Sequence, residues 1–130
     1  MSKAQIPRAC ALTVPVLVVD DDEPDRRIAA LRLRGTGCAC HLADTHEAAL
    51  RLLREHPDIR VAVIDYHMKE SEDVAVLVKG IRSTRPDVTL VGHSSMCRCD
   101  AFAALGVERF LLKPWTPDDL FHLLSDHERH

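Results

Sequence analysis

Short apolar runs that end abruptly in polar residues recur along this chain, and helical patterns fill the intervals between them. Val16-Leu17-Val18-Val19 runs into Asp20-Asp21-Asp22, and Val61-Ala62-Val63-Ile64 into Asp65. Val88-Thr89-Leu90-Val91 leads through Gly92-His93 into Ser94-Ser95, and Phe110-Leu111-Leu112 into Lys113-Pro114. Runs of this length and composition read as strands buried on both faces. Cys38 to Ala43 adds a short second strand. Pro24 to Arg34 predicts a helix with Ile28, Leu31 and Leu33 against Arg26, Arg27 and Arg32, stopped by Gly35 and Gly37. Thr45 reads as the N-cap of a second helix, with Ala48, Ala49, Leu52 and Leu53 as its inner stripe and Pro57 as its end. Asp73 to Arg82 places Val74, Leu77, Val78 and Ile81 at helical spacing, and Asp100 to Leu105 is a brief helix before Gly106. Thr116-Pro117 opens the last helix, which turns Leu120, Phe121, Leu123 and Leu124 inward.

Strands and helices therefore alternate from end to end, and right-handed crossovers then require a parallel sheet covered by helices on both faces. In such sheets ligands bind outside the carboxyl ends of the strands. That edge would receive carboxylates, a hydroxyl and an ammonium, a combination suited to handling a phosphoryl group. Asp65 ends the most apolar strand, and a carboxylate there can accept a phosphoryl group covalently. A lone anion approaches a phosphoryl donor poorly. Asp20 and Asp21 crowd the same edge, and a hard divalent cation bound by them would relieve their repulsion and neutralise phosphoryl oxygens.

The segments VLVVDDD, VAVIDYHM, LVGHSS and FLLKPW resemble the signature of receiver domains of two-component response regulators. The intervals agree: 44 residues separate Asp21 from Asp65 and 48 separate Asp65 from Lys113. The resemblance spans residues 14–125, leaving tails at 1–13 and 126–130. It implies a flavodoxin-like, doubly wound, five-stranded parallel sheet of order 2-1-3-4-5 with five helices. It also implies phosphorylation on Asp65 with Mg²⁺ or Mn²⁺ as cofactor. Asp21 would ligate the ion directly, Asp20 mainly through water, and Asp65 and the backbone carbonyl of His67 would complete the protein's share. Lys113 would pair with Asp65 before modification and with a phosphate oxygen afterwards, its stem held by a cis bond to Pro114. Ser94 would donate its hydroxyl to the phosphoryl group and move inward, with Ser95 the alternative if strand four runs one residue longer. Phe110 stands where the family carries its switch aromatic. Two departures accompany these matches. Met68-Lys69-Glu70-Ser71-Glu72-Asp73 lacks the family's usual Pro and Gly, and the connection from Ser94 to Gly106 is short.

Composition narrows the setting. A chain of 130 residues, 46% hydrophobic and 28% charged, is one globular domain rather than a disordered segment. A net charge of −3 offers no basic face for direct nucleic-acid binding. No run reaches the length of a membrane span, and the expected location is cytoplasmic. Five cysteines are an odd number in such a chain, so no disulfide is expected. Two C-x-C pairs near His41 and His93 invite a zinc reading, but small buried or surface thiols account for them better.

The functional expectation is a phosphoacceptor signalling domain rather than a conventional enzyme, though one that assists its own phosphorylation and dephosphorylation. A histidine kinase or histidine phosphotransfer protein would supply the phosphoryl group. The surface of helix four, strand five and helix five would pass the signal to a further protein, or to a second copy in a phosphorylation-dependent homodimer. Trp115 beside that surface is either an interface anchor or a core-rim residue. Three rivals stand beside this reading: a docking module independent of phosphorylation, a receiver fragment of a longer regulator, and an aspartyl-phosphate phosphatase. The last usually carries a second acid where this chain has His67.

Overall fold

The computed structural model describes residues 15–66, 73–96 and 99–128, with side chains to residue 125. Residues 1–14, with Cys10, His67 with the loop up to residue 72, residues 97–98, with Cys97, and residues 129–130 lie outside the described residues, while the last helix continues through part of the expected C-terminal tail, to Glu128. Five parallel strands, β1 (Val16–Val19), β2 (Cys40–Ala43), β3 (Val61–Asp65), β4 (Thr89–Ser94) and β5 (Arg109–Leu112), lie in the order β2-β1-β3-β4-β5. The helices between and after them are α1 (Glu23–Gly35), α2 (His46–Glu55), α3 (Val74–Thr84), α4 (Cys99–Ala104) and α5 (Pro117–Glu128). This is the flavodoxin-like sheet that the alternation and the resemblance imply.

Strand alternation divides the core into two layers. Val16, Val18, Val61, Val63, Val91 and Leu111 pack with Ala30 and Leu33 of α1 and Leu120 and Phe121 of α5. Leu17, Val19, Ala62, Ile64 and Leu90 turn the other way, onto Leu53 of α2, Leu77 and Ile81 of α3, and Phe102 of α4. Consecutive strand residues thus alternate between helix layers, so the strands are apolar throughout rather than every second residue.

Capping follows local chemistry. Asp22, Thr45 and Asp73 are the N-caps of α1, α2 and α3, each accepting a backbone N–H from the first turn. The second strand begins at Cys40 rather than Cys38, because Cys38 N is bound to Leu33 O in the turn that closes α1. In that turn Gly37 has φ +87°, a left-handed conformation that glycine tolerates best.

The face that α1 buries differs from the sequence expectation. Ala29, Ala30 and Leu33 are buried, whereas Ile28 and Leu31 are 46% and 66% exposed. The buried positions continue from Arg26 at i, i+3, i+4 and i+7, one coherent stripe. Two alanines let the helix lie close to the valines of β1 and β3, and larger residues at those positions would hold it off.

At the amino ends of the strands, two arginines tie elements together. Arg85, the C-cap of α3, donates to the carbonyls of Leu53, Pro57 and Ile59 and pairs with Asp87. Arg82 donates to the carbonyls of Leu105 and Gly106, which follow α4.

Candidate functional site

The strand register assembles the site. Val19 lies opposite Ile64, which carries Asp20 to the side of Asp65. Asp65 lies opposite His93, and Ser94 opposite Leu112, whose successor Lys113 donates its backbone N–H to Ser94 O at 2.8 Å. Asp20, Asp65, His93 and Lys113 share the side-chain direction of the α1–α5 layer. Ser94 shares that of Gly92 and Leu90, toward α3 and α4.

Asp20, Asp21 and Asp65 each present a carboxylate oxygen, all within 4.8 Å of one another. Asp20 is fully buried and Asp65 is 6% exposed. A cluster of hard oxygen donors with so little water around it suits a divalent cation such as Mg²⁺. Among the described residues this is the one group of His, Cys, Asp or Glu side chains arranged to hold a metal. The zinc reading of the cysteines gains nothing: Cys38, Cys40 and Cys99 carry free thiols, and burial pushes the Cys40 thiol up to about 11.

Lys113 reaches into the cluster beside the cis bond to Pro114. Its Nζ stands 2.7 Å from Asp20 Oδ2, 3.1 Å from Asp25 Oδ2 and 3.5 Å from Asp65 Oδ2. The expected pairing with Asp65 is thus a sharing among three acids, tightest with Asp20, the most deeply buried. Burial alone would lower the lysine's pKa. The hydrogen bond to Asp20 and the charge of Asp65 outweigh it and hold the ammonium above its ordinary range. Arg26 of α1 donates to the backbone carbonyl of Asp20 at 2.8 Å, and Asp22 N–H donates to Asp20 Oδ1 at 2.9 Å. Asp22 therefore serves as cap and support, while Glu23 pairs with Arg27 on the exposed side.

Ser94 is 2% exposed, and its Oγ accepts the Met96 N–H at 3.2 Å. Ser95 is exposed and lines a cleft of about 250 Å³ with Ile28, Ala29, Lys113, Pro114 and Trp115. Phe110, opposite Gly92 in the register, is half-buried against Phe102, ring centroids 5.7 Å apart. Phe102 also meets Tyr66 edge-on at 5.3 Å. A Cβ on Gly92 would come within 2.5 Å of the Phe102 ring, so glycine at this position admits that ring to the strand.

Two contributors escaped the sequence reading. Asp25 looks like an ordinary first-turn acid, yet it touches Lys113. His93 is 2% exposed, with Nδ1 accepting the Trp115 Nε1–H at 3.2 Å and Nε2 at 3.4 Å from Val19 O and 3.8 Å from Asp20 Oδ2. Burial, reinforced by the charge of Lys113, pushes the imidazole down to about 4, against the opposing pull of Asp20. It is therefore a neutral neighbour of Asp20 and not its ion-pair partner. Trp115, 6% exposed, packs in the α1–α5 layer, and its carbonyl accepts from Arg32; it is a core residue rather than an exposed anchor.

Comparison with known proteins agrees with this geometry. Residues 16–125 match the family described as response regulator receiver domain. Two-component response regulator ORR5 of Oryza sativa subsp. japonica is 32% identical over 114 residues, covering 85% of each chain. A response regulator receiver protein from Pseudomonas putida has a structure similar at TM-score 0.75 and 29% identity, over 88% of this chain and 98% of that one. A two-component system response regulator/GGDEF domain protein of known structure is similar at TM-score 0.76 and 28% identity. The match covers 90% of this chain but only 50% of that one, so this chain spans about half its length. Receiver domains of this family generally bind a divalent metal at acidic residues and interact with histidine kinases or phosphotransfer proteins. By sequence match, sheet order and acid cluster together, the chain belongs to the response regulator receiver domain family.

Proposed function

We propose that this chain is the phosphoacceptor of a histidine-to-aspartate phosphorelay, modified on Asp65 and not a conventional enzyme. The observation that carries the reading is the convergence of Asp20, Asp21 and Asp65 within 4.8 Å, with Lys113 Nζ 3.5 Å from Asp65. An Asp65 carboxylate oxygen attacks the phosphorus of a phosphohistidine. The P–N bond breaks, the imidazole keeps its electron pair, and an acyl phosphate forms on Asp65. A Mg²⁺ or Mn²⁺ ion held by Asp20, Asp21 and Asp65 would neutralise the phosphoryl oxygens. Lys113 shifts from the carboxylates to a phosphoryl oxygen, and the Ser94 hydroxyl, which points toward α3 and α4 and accepts the Met96 N–H, would have to turn toward Asp65 to donate to another. Water later cleaves the acyl phosphate and restores the carboxylate.

Domain surfaces support the rest of the reading. The phosphoryl donor, a histidine kinase or phosphotransfer protein, reaches Asp65 at the open carboxyl edge of the sheet. Exposed Leu112 on β5 and Met96 before α4 offer apolar contact to a downstream protein or to a second copy through α4, β5 and α5. No helix among the described residues is long and apolar enough to cross a membrane, and a cytoplasmic location fits a partner kinase's soluble domains.

Intact-mass measurement after acetyl phosphate and Mg²⁺ tests the assignment. One added phosphoryl group is expected on the wild-type chain and none on Asp65→Asn. Label persisting on a folded Asp65→Asn protein would overturn it.

A further inference from the structure

Helices α3 and α4 leave between them a groove that takes no part in the phosphoacceptor chemistry. Helix α3 runs for 11 residues and α4 for only 6. Where they face each other, Ala75 of α3 and Ala104 of α4 are too short to close the gap. A cavity of about 510 Å³ remains, floored by Val78 and Leu105. Val78 belongs to the core beneath, so the groove opens onto apolar surface. Helical spacing puts Ala75, Val78 and Arg82 on one face of α3, and Val76, Lys79 and Ser83 on the neighbouring one. Val76 is 64% exposed, which extends the apolar surface past the lip of the groove.

Charge gives the groove a preference. Lys79 and Arg82 line it, and none of its described lining residues is acidic. Overall composition does not account for this, because the chain carries a net charge of −3. Arg82 is fixed in place, its Nη1 and Nη2 donating to the carbonyls of Leu105 and Gly106 at 2.8 and 2.6 Å. Gly106, at φ +82°, admits the guanidinium, since a Cβ there would lie 2.7 Å from Nη1. Carbonyls are neutral, so they hold the guanidinium without cancelling its charge and leave other N–H donors for an anion.

An apolar floor with cations at the rim matches a segment that carries the opposite charge around an apolar anchor. We propose that the α3–α4 groove docks an acidic segment of a partner protein. A leucine- or phenylalanine-sized side chain enters between Ala75 and Ala104, and flanking carboxylates meet Lys79 and Arg82. The surface lies between α3 and α4 rather than between α4 and β5, and docking there needs no modification of Asp65.

The test is a titration of the unphosphorylated chain in chelator, followed by the methyl resonances of Val76, Val78 and Leu105. The probe is a short capped peptide of alternating glutamate and leucine pairs. Saturable shifts centred on those methyls are expected, with a Kd of about 1 mM or tighter. Two variants divide the claim. Lys79→Glu reverses a rim charge and should weaken binding roughly fivefold. Ala104→Leu fills the gap with all charges kept and should weaken it at least as much. Both positions are exposed, so the variants should fold, and unchanged amide spectra away from the groove verify that. Peptides with glutamine for glutamate, or alanine for leucine, should bind less well. No saturable shift at these methyls, binding indifferent to either variant, or equal binding of either control peptide would overturn the proposal. Sedimentation of the chain alone at the titration concentration is expected to show a monomer. A dimer that Lys79→Glu dissociates would mean that a second copy occupies the groove, and would overturn it as well.

Discussion

His93 titrates far from where an exposed imidazole does, because burial removes the hydration of its charged form and Lys113 adds repulsion. In the unfolded chain it takes up a proton near pH 6.5, in the folded chain only near 4. Between those values the unfolded state binds more protons, so this contribution is fully present above pH 6.5 and is lost as pH falls toward 4. The loss amounts to about 3 kcal/mol at the low end. Urea unfolding in chelator at pH 7 and pH 4.5 should show the stability of wild type relative to His93→Leu declining by about 2 kcal/mol or more. A pH-independent difference would contradict the assignment. The convergence of Asp20, Asp65 and Lys113 was legible in the sequence because each ends or closely follows an apolar run. His93 was not, because its side-chain direction emerges only from the register that sets it opposite Asp65. Asp25 was hidden for a related reason: a first-turn acid meets Lys113 only once α1 is docked on the sheet.

Helix α1 shows why element order was readable and element orientation less so. Hydrophobicity singles out Ile28 and Leu31, but close packing on the β-branched strands selects the smaller Ala29 and Ala30. Leu31→Ser should therefore change unfolding free energy by no more than about 0.5 kcal/mol, whereas Ala30→Leu should cost about 1 to 3 kcal/mol by overpacking. Denaturant midpoints of the two variants check this, and the reverse order would mean that α1 is rotated on the sheet. Strand β4 carries a second case of size deciding arrangement. In Gly92→Ala the new methyl meets the Phe102 ring, which must move away from Tyr66 and Phe110. A loss of about 1 to 3 kcal/mol is expected, with altered ring resonances for all three aromatics. Unchanged stability and spectra would show that the ring yields freely. Sequence reading placed Phe110 at this location but had no means of finding its partner, since the approach of Phe102 depends on an absent side chain rather than a present one.

Across the whole molecule, the acids gathered at the carboxyl edge of the sheet would link stability to a bound divalent cation. Mg²⁺ should stabilise the folded chain by about 2.7 kcal/mol at a hundred times its dissociation constant, and chelation should reverse this. In Asp21→Ala the metal response should vanish while the thermal midpoint in chelator does not fall, because one repelling anion has gone. A retained Mg²⁺ response would remove Asp21 from the ligand set. At the opposite edge, Arg85 fastens α2, the entry to β3 and the α3–β4 turn, and Arg82 fastens the segment after α4. Sliding any of these pieces would break several charge-assisted bonds at once. Helix α4 is therefore pinned where it ends and begins just past Ser94 and Met96, at the edge where the chemistry occurs. If Ser94 steps inward on modification, as proposed, that step would act on the start of α4, at the end opposite the Arg82 contacts. The amplitude of response should grow along α4 from Gly106 back toward Cys99, so a partner reading this domain gains most by gripping the helix at its start.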